Sequence, residues 1–223
     1  MSIAQFIDHT ILKPTTTLPE VERICSEAVQ YRFAAVCVPP YYVATSKKLL
    51  RPHSIGVATV IGFPFGYSCT EAKAAEATQA IADGADELDM VMHLVALKNG
   101  DMDFLKTEIA ALSALTQQHQ KTLKVIIESG VLSNEEIIRC CNLFKAYPVQ
   151  FLKTSTGYAE KGASLEAVQL MRQHLPSTIQ IKASGGIKSY AFAQQLIAAG
   201  ATRLGCSASV AIVKDEPAGE GGY

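Results

Sequence analysis

Residues 179–206 read IQIKASGGIKSYAFAQQLIAAGATRLGC. A β-rich run over 179–184 gives way to a double glycine and then to a helical stretch. That stretch closes at Gly200, where a left-handed residue suits a helix end, and a second β-rich run follows over 202–206. A strand, a helix and a further strand of this kind join parallel neighbours in a sheet. Toward the N-terminus the same alternation recurs, with strands predicted over 6–12, 34–38, 56–63, 87–92, 122–129 and 151–156. Helix signals fill the gaps. Thr17 with Glu20, Ser68 with Glu71 and Ser133 with Glu136 have capping-box spacing. Pro19 suits a first helical turn, and Gly84 repeats the ending seen at Gly200. Residues 71–82 are Ala-rich, as befits a helix laid closely on a sheet. Eight strand–helix units without a change of composition predict one α/β domain, a single (β/α)₈ TIM barrel over residues 1–215, with a flexible tail over 216–223. The rival, a doubly wound open sheet, wants a glycine-rich phosphate turn after its first strand. Here that position reads ILKPTTT.

The composition is globular: 223 residues, 48% hydrophobic and 18% charged. Twenty basic and 21 acidic side chains leave a formal charge of −1, so no basic excess points to nucleic acid. The six cysteines form no C-x-x-C pair, which argues against zinc and redox readings and for a reducing, cytoplasmic setting. No His/Asp/Glu cluster has metal-ligand spacing, and no cofactor is expected. The opening MSIAQFIDHT lacks the basic start of a secretory signal. Residues 52–70 carry no Asp, Glu, Lys or Arg, but their prolines and glycines would break a membrane helix; they read as a buried strand with its loop. Neither a membrane nor a nucleic-acid partner is expected, and the sequence leaves a homo-oligomer open.

Parallel strands covered on both faces should be nearly continuous apolar runs, so charges inside them are informative. Six stand out: Asp8, Asp89, Lys124, Glu128, Lys153 and Lys182. Period-2 alternation turns Lys153, Lys182 and Asp89 toward the barrel axis, away from the face of Leu152, Ile181, Leu88 and Met90. Two inward lysines on adjacent strands repel, and the repulsion is expected to lower the pKa of one and free an amine nucleophile. Lys124 lies early in its strand and is expected to pair with Glu128. Gly185-Gly186 after the seventh strand, and the run Gly205-Cys206-Ser207-Ala208-Ser209 after the eighth, stand where such barrels commonly build a phosphate site. His9, His93, Tyr41 and Tyr42 read as packing residues.

The motifs FLKTSTG (151–157), IKASGGIK (181–188), ADELDMV (85–91), VIGFPFG (60–66) and DHTILKP (8–14) together resemble the deoxyribose-phosphate aldolases, class I aldolases built on a (β/α)₈ barrel. The resemblance runs from Asp8 to about Val213. It implies reversible cleavage of 2-deoxy-D-ribose 5-phosphate to D-glyceraldehyde 3-phosphate and acetaldehyde, so the partners would be a small phosphosugar and an aldehyde. Lys153 would be the Schiff-base lysine, Lys182 its pKa-lowering neighbour, Asp89 the carboxylate moving protons through a water, and Asp8 a partner of Lys182. Thr156 would help hold the sugar, and Gly157, Gly185, Gly186, Gly205 and Ser207 the phosphate. Similar aldolases often end in tyrosine, so Tyr223 is expected to reach the site and carry a proton; an extended residue spans about 3.3–3.6 Å. Three departures are visible. His93–Lys98 stands where the family often has N-I-G-x-L-K, Ala208 replaces a second serine, and Tyr158-Ala159-Glu160 leaves the phosphate without an expected cation. A phosphosugar isomerase or another Schiff-base lyase on the same barrel is the alternative activity, and a binding protein that has lost turnover the alternative class.

Overall fold

A computed structural model describes residues 2–217. Its strands are β1 (Ile7–Thr10), β2 (Ala35–Val38), β3 (Gly56–Ile61), β4 (Glu87–Val91), β5 (Thr122–Ile126), β6 (Phe151–Lys153), β7 (Gln180–Ser184) and β8 (Arg203–Cys206). They are all parallel and close into a barrel in sequence order, β1 pairing with β8. The helices are α1 (Leu18–Tyr31), α2 (Val43–Leu50), α3 (Thr70–Ala82), α4 (Leu94–Lys98), α5 (Met102–Gln118), α6 (Asn134–Phe144), α7 (Leu165–His174), α8 (Tyr190–Ala198) and α9 (Ser209–Lys214). Among the described residues no helix is long and apolar enough to cross a membrane.

Local signals explain most boundaries. Glu20 accepts from the Thr17 backbone N–H at 2.8 Å, and Glu136 from that of Ser133 at 2.8 Å, so both capping boxes form. The third does not: α3 starts one residue later than its signal, with Cys69 rather than Ser68 at the cap. Gly84 and Gly200 take φ of +101° and +116° just past α3 and α8. Several strands end earlier than predicted, and after two of them a left-handed residue turns the chain out of the ladder. Gly62 (φ +62°) does so after β3, and Glu128 (φ +52°) shapes the turn after β5. The segment His93–Lys98 forms the short α4, with the His93 ring accepting from the Ala96 N–H at 3.1 Å. Tyr42 packs and donates to the Thr16 carbonyl at 3.0 Å, whereas Tyr41 is 86% exposed, contrary to its reading as a packing residue.

The two faces of the barrel have different chemistry. Outward residues such as Ile7, Val36, Val57, Leu88, Val125, Leu152, Ile181 and Leu204 meet the helices in one continuous apolar layer. One ion pair is buried in that layer: Lys73 on α3 reaches Glu108 on α5 at 2.5 Å and donates to the Val91 carbonyl at 2.9 Å. Inside the barrel, Cys37, Ala58 and Val60 form a small separate apolar cluster with Leu12 on the β1–β3 side. The other side of the interior is charged.

Candidate active site

Seven charged side chains meet there. Asp8 comes from β1, Glu87 and Asp89 from β4, Lys124 from β5, Lys153 from β6, Lys182 from β7 and Arg203 from β8. Parallel register assembles them: Asp89 stands level with Lys124, and Lys153 with Lys182, so each pair points to the same side. Asp89 is the hub. Its Oδ2 accepts from Lys153 and from Lys182, both at 2.7 Å, and its Oδ1 from Lys124 at 2.7 Å. Lys182 also donates to Asp8. Arg203 donates to the other Asp8 oxygen at 2.7 Å and reaches Glu87 at 3.2 Å, and Lys124 lies 2.5 Å from Glu87. Lys124 therefore belongs to this cluster and does not pair with Glu128, contrary to expectation.

Three carboxylates face four cations, so the cluster becomes neutral when one cation loses its proton. Burial pushes the Asp89 carboxyl up, but Lys124, Lys153 and Lys182 outweigh it and hold it well below the usual aspartate range. Asp8 is likewise held low, against burial, by Lys182, Lys124 and Arg203. Burial pulls Lys182 and Lys124 down, yet their carboxylate partners raise both above an ordinary lysine. Lys153 goes the other way. It is 2% exposed, and its pKa falls. Burial is the largest cause; Asp89 works against it and Lys182 adds to it. The predicted direction holds, with a different leading cause, because Asp8 already neutralises much of the Lys182 charge. Glu87 and Arg203 were missed by the sequence reading, although they stand two residues before Asp89 and Gly205, in inward phase with them.

Glu128 and Thr156 form a second polar group beyond the strand ends. Glu128 accepts from the Thr156 backbone N–H at 3.2 Å and from its hydroxyl. Burial raises the Glu128 carboxyl, against the Thr156 hydrogen bonds. Thr156 is thus turned to a carboxylate partner that its motif did not announce.

The remaining expected residues gather in one place. Gly157, Gly185, Gly186, Gly205 and Ser207 line a cleft of about 180 Å³ together with Ile187, Lys188 and Cys206. Gly205 has to be glycine, since a Cβ there would lie 2.9 Å from the Ser184 Cβ and 3.2 Å from the Lys182 Cε. Gly186 takes φ +76°, a region that side chains disfavour. Lys188, from the quoted motif IKASGGIK, is a basic residue on the wall of this cleft. Ser209 is buried and does not line the cleft. Tyr223 lies outside the described residues.

The profile of the DeoC/LacD family of aldolases matches residues 2–215. A deoxyribose-phosphate aldolase of Thermococcus gammatolerans is 46% identical over 216 residues, covering 96% of this chain and 96% of that protein. One from Bacillus mycoides is 44% identical over 219 residues, covering 98% of each. Among solved structures, the tetrameric deoxyribose phosphate aldolase from Aeropyrum pernix has a TM-score of 0.89 at 29% identity, covering 95% of this chain and 89% of that one. Likeness over nearly the whole length, on a closed eight-stranded parallel barrel with a lysine-rich interior, means that this chain belongs to the DeoC/LacD family of aldolases.

Proposed function

We propose that the protein reversibly cleaves 2-deoxy-D-ribose 5-phosphate to D-glyceraldehyde 3-phosphate and acetaldehyde through a Schiff base on Lys153. The observation that carries this is the buried Lys153 amine, 2.7 Å from an Asp89 oxygen that it shares with Lys182 on the adjacent strand; burial lowers its pKa. The names of the relatives support the substrate, and the cleft of glycines with Lys188 and Ser207 supports a phosphate-bearing one.

Neutral Lys153 adds to the C1 aldehyde, and loss of water leaves an iminium whose counter-charge is Asp89. The two-carbon product requires the C2–C3 bond to break. A proton leaves the C3 hydroxyl, the C2–C3 electron pair moves into the iminium to give an enamine, and glyceraldehyde 3-phosphate departs. The enamine carbon then takes up one proton, and water releases acetaldehyde and restores the amine. The proton lost from O3 equals the one gained at C2, so Asp89 with a water has only to relay it. Thr156 would orient the sugar. The tetramer of the Aeropyrum relative favours a homo-oligomer here, and six unpaired cysteines favour a reducing, cytoplasmic setting.

Borohydride reduction in the presence of acetaldehyde, followed by peptide mass mapping, tests the reading. An ethyl group on Lys153 is expected. Labelling at Lys182 instead would reverse the two lysine roles, and isomerisation of a phosphosugar with no cleavage and no labelling would favour the isomerase class.

A further inference from the structure

The phosphate cleft depends on a short piece of backbone with little regular structure behind it. β8 ends at Cys206, and α9 begins at Ser209 and is six residues long. Ala208, at its N-cap, makes no side-chain capping bond. Gly205, Cys206 and Ser207, which line the cleft, thus leave the sheet without a strong helix to receive them.

Side chains on the outer face of the barrel take up that task. Ser209 donates to the Cys206 carbonyl at 2.9 Å, satisfying a buried acceptor at the end of the strand. The same Oγ is 2.9 Å from Nδ1 of His9, a residue 200 positions away in sequence. His9 stands level with Cys206 on the neighbouring strand and points outward with it. Its Nε2 lies 2.6 Å from the Glu27 carboxylate on α1, which Arg23 holds at 2.8 Å. The ring is buried and packs with its centroid 5.1 Å from that of Phe33. The chain from α1 through β1 to α9 therefore ends on the backbone of the cleft. His9 is a satisfied packing residue, as its sequence reading held, but what it packs is the turn that faces the substrate.

We propose that Glu27, His9 and Ser209 are positioning residues. Their hydrogen-bonded chain sets the place of the Cys206–Ser209 turn and so the preference for a phosphorylated over an unphosphorylated sugar. None of the three touches the substrate. Backbone donors act on an anion only when held at hydrogen-bond distance, and a supporting shell is what holds them. The inference rests on the function proposed above.

The test compares kcat/KM for 2-deoxyribose 5-phosphate and for 2-deoxyribose in wild type, Ser209→Ala, His9→Gln and Ser209→Thr. In Ser209→Ala and His9→Gln the phosphorylated sugar should lose about tenfold, the size of one good hydrogen bond, mainly through KM. The unphosphorylated sugar should be turned over as before. Inorganic phosphate, used as a competitive inhibitor, should weaken by a similar factor. Ser209→Thr keeps the hydroxyl and should keep the wild-type ratio. Equal losses on both sugars, or an unchanged ratio, would reduce the chain to ordinary packing and overturn the proposal. If Ser209→Ala fails to fold, Glu27→Leu, which removes the acceptor nearer the surface, gives the same readout with the smaller effect of a remote link, and an unchanged ratio there is equally fatal. Wild type without preference for the phosphorylated sugar would instead overturn the phosphate reading itself, and the proposal with it.

Discussion

Asp89 accepts three ammonium groups on two oxygens, and two of them, from Lys153 and Lys182, share the same one. Removing Lys182 acts on Lys153 in two ways with one sign. A neighbouring positive charge disappears, and Asp89 Oδ2 is left to Lys153 alone. Both favour the protonated amine, so Lys182→Leu should raise the pKa of Lys153 and move the acid limb of the kcat/KM profile to higher pH. With Lys153 protonated over more of the pH range, kcat/KM near neutrality should fall about tenfold or more. A profile with its acid limb unmoved would mean that burial alone sets the amine and that Lys182 serves another step. Glu128 belongs to this scale too. Its left-handed backbone and raised carboxyl sit beside Thr156, so the residue proposed to orient the sugar is itself held by a costly one.

The elements that carry these side chains are tied together outside the barrel by Lys73 and Glu108. Lys73 donates to the Val91 carbonyl, and Glu108 accepts from the His93 N–H at 3.1 Å, so α3 and α5 grip the end of β4 just beyond Asp89. Lys73→Met would leave Glu108 buried without its cation and should destabilise the fold by about 3–5 kcal/mol. The double change with Glu108→Met should recover most of that, as urea unfolding would measure; equal losses in the single and double variants would contradict the pairing. This pair was not legible in the sequence. An Ala-rich helix announces close packing, but nothing in its pattern says that one lysine turns inward. Strands and their facing residues were legible, because alternation and strand order fix both. The partner of Lys124 was misread for a plain reason. Residues four apart on one strand are separated by about 13 Å, at 3.3 Å per residue, whereas Asp89 stands level on the next strand. Strand ends were also misjudged, since a left-handed Glu128 follows from tertiary contacts that no local propensity encodes.

For the molecule as a whole, the interior cluster links stability to pH. The folded-state pKa values of Asp8 and Asp89 lie below the ordinary 3.8. Their contribution is complete above that value and is lost as pH falls below it toward the depressed folded values. Tm should therefore be steady near neutrality and fall steeply as pH drops through the region below about 3.8, as scanning calorimetry would show; a Tm unchanged down to pH 3 would mean that the cluster adds nothing to stability. The ring of charges has a further consequence, for how the chain reaches its native state. Asp8 finds Lys182 174 residues later and Arg203 195 residues later. Until the first and last strands meet, the lysines of the central strands lack part of their counter-charge, and burying them early is costly. Closing so long a loop is slow but adds little to its equilibrium cost. The barrel should thus form in one late, cooperative step, with partial barrels keeping their interiors wet. A chain cut between β4 and β5 should give two halves that stay open alone and close only on each other.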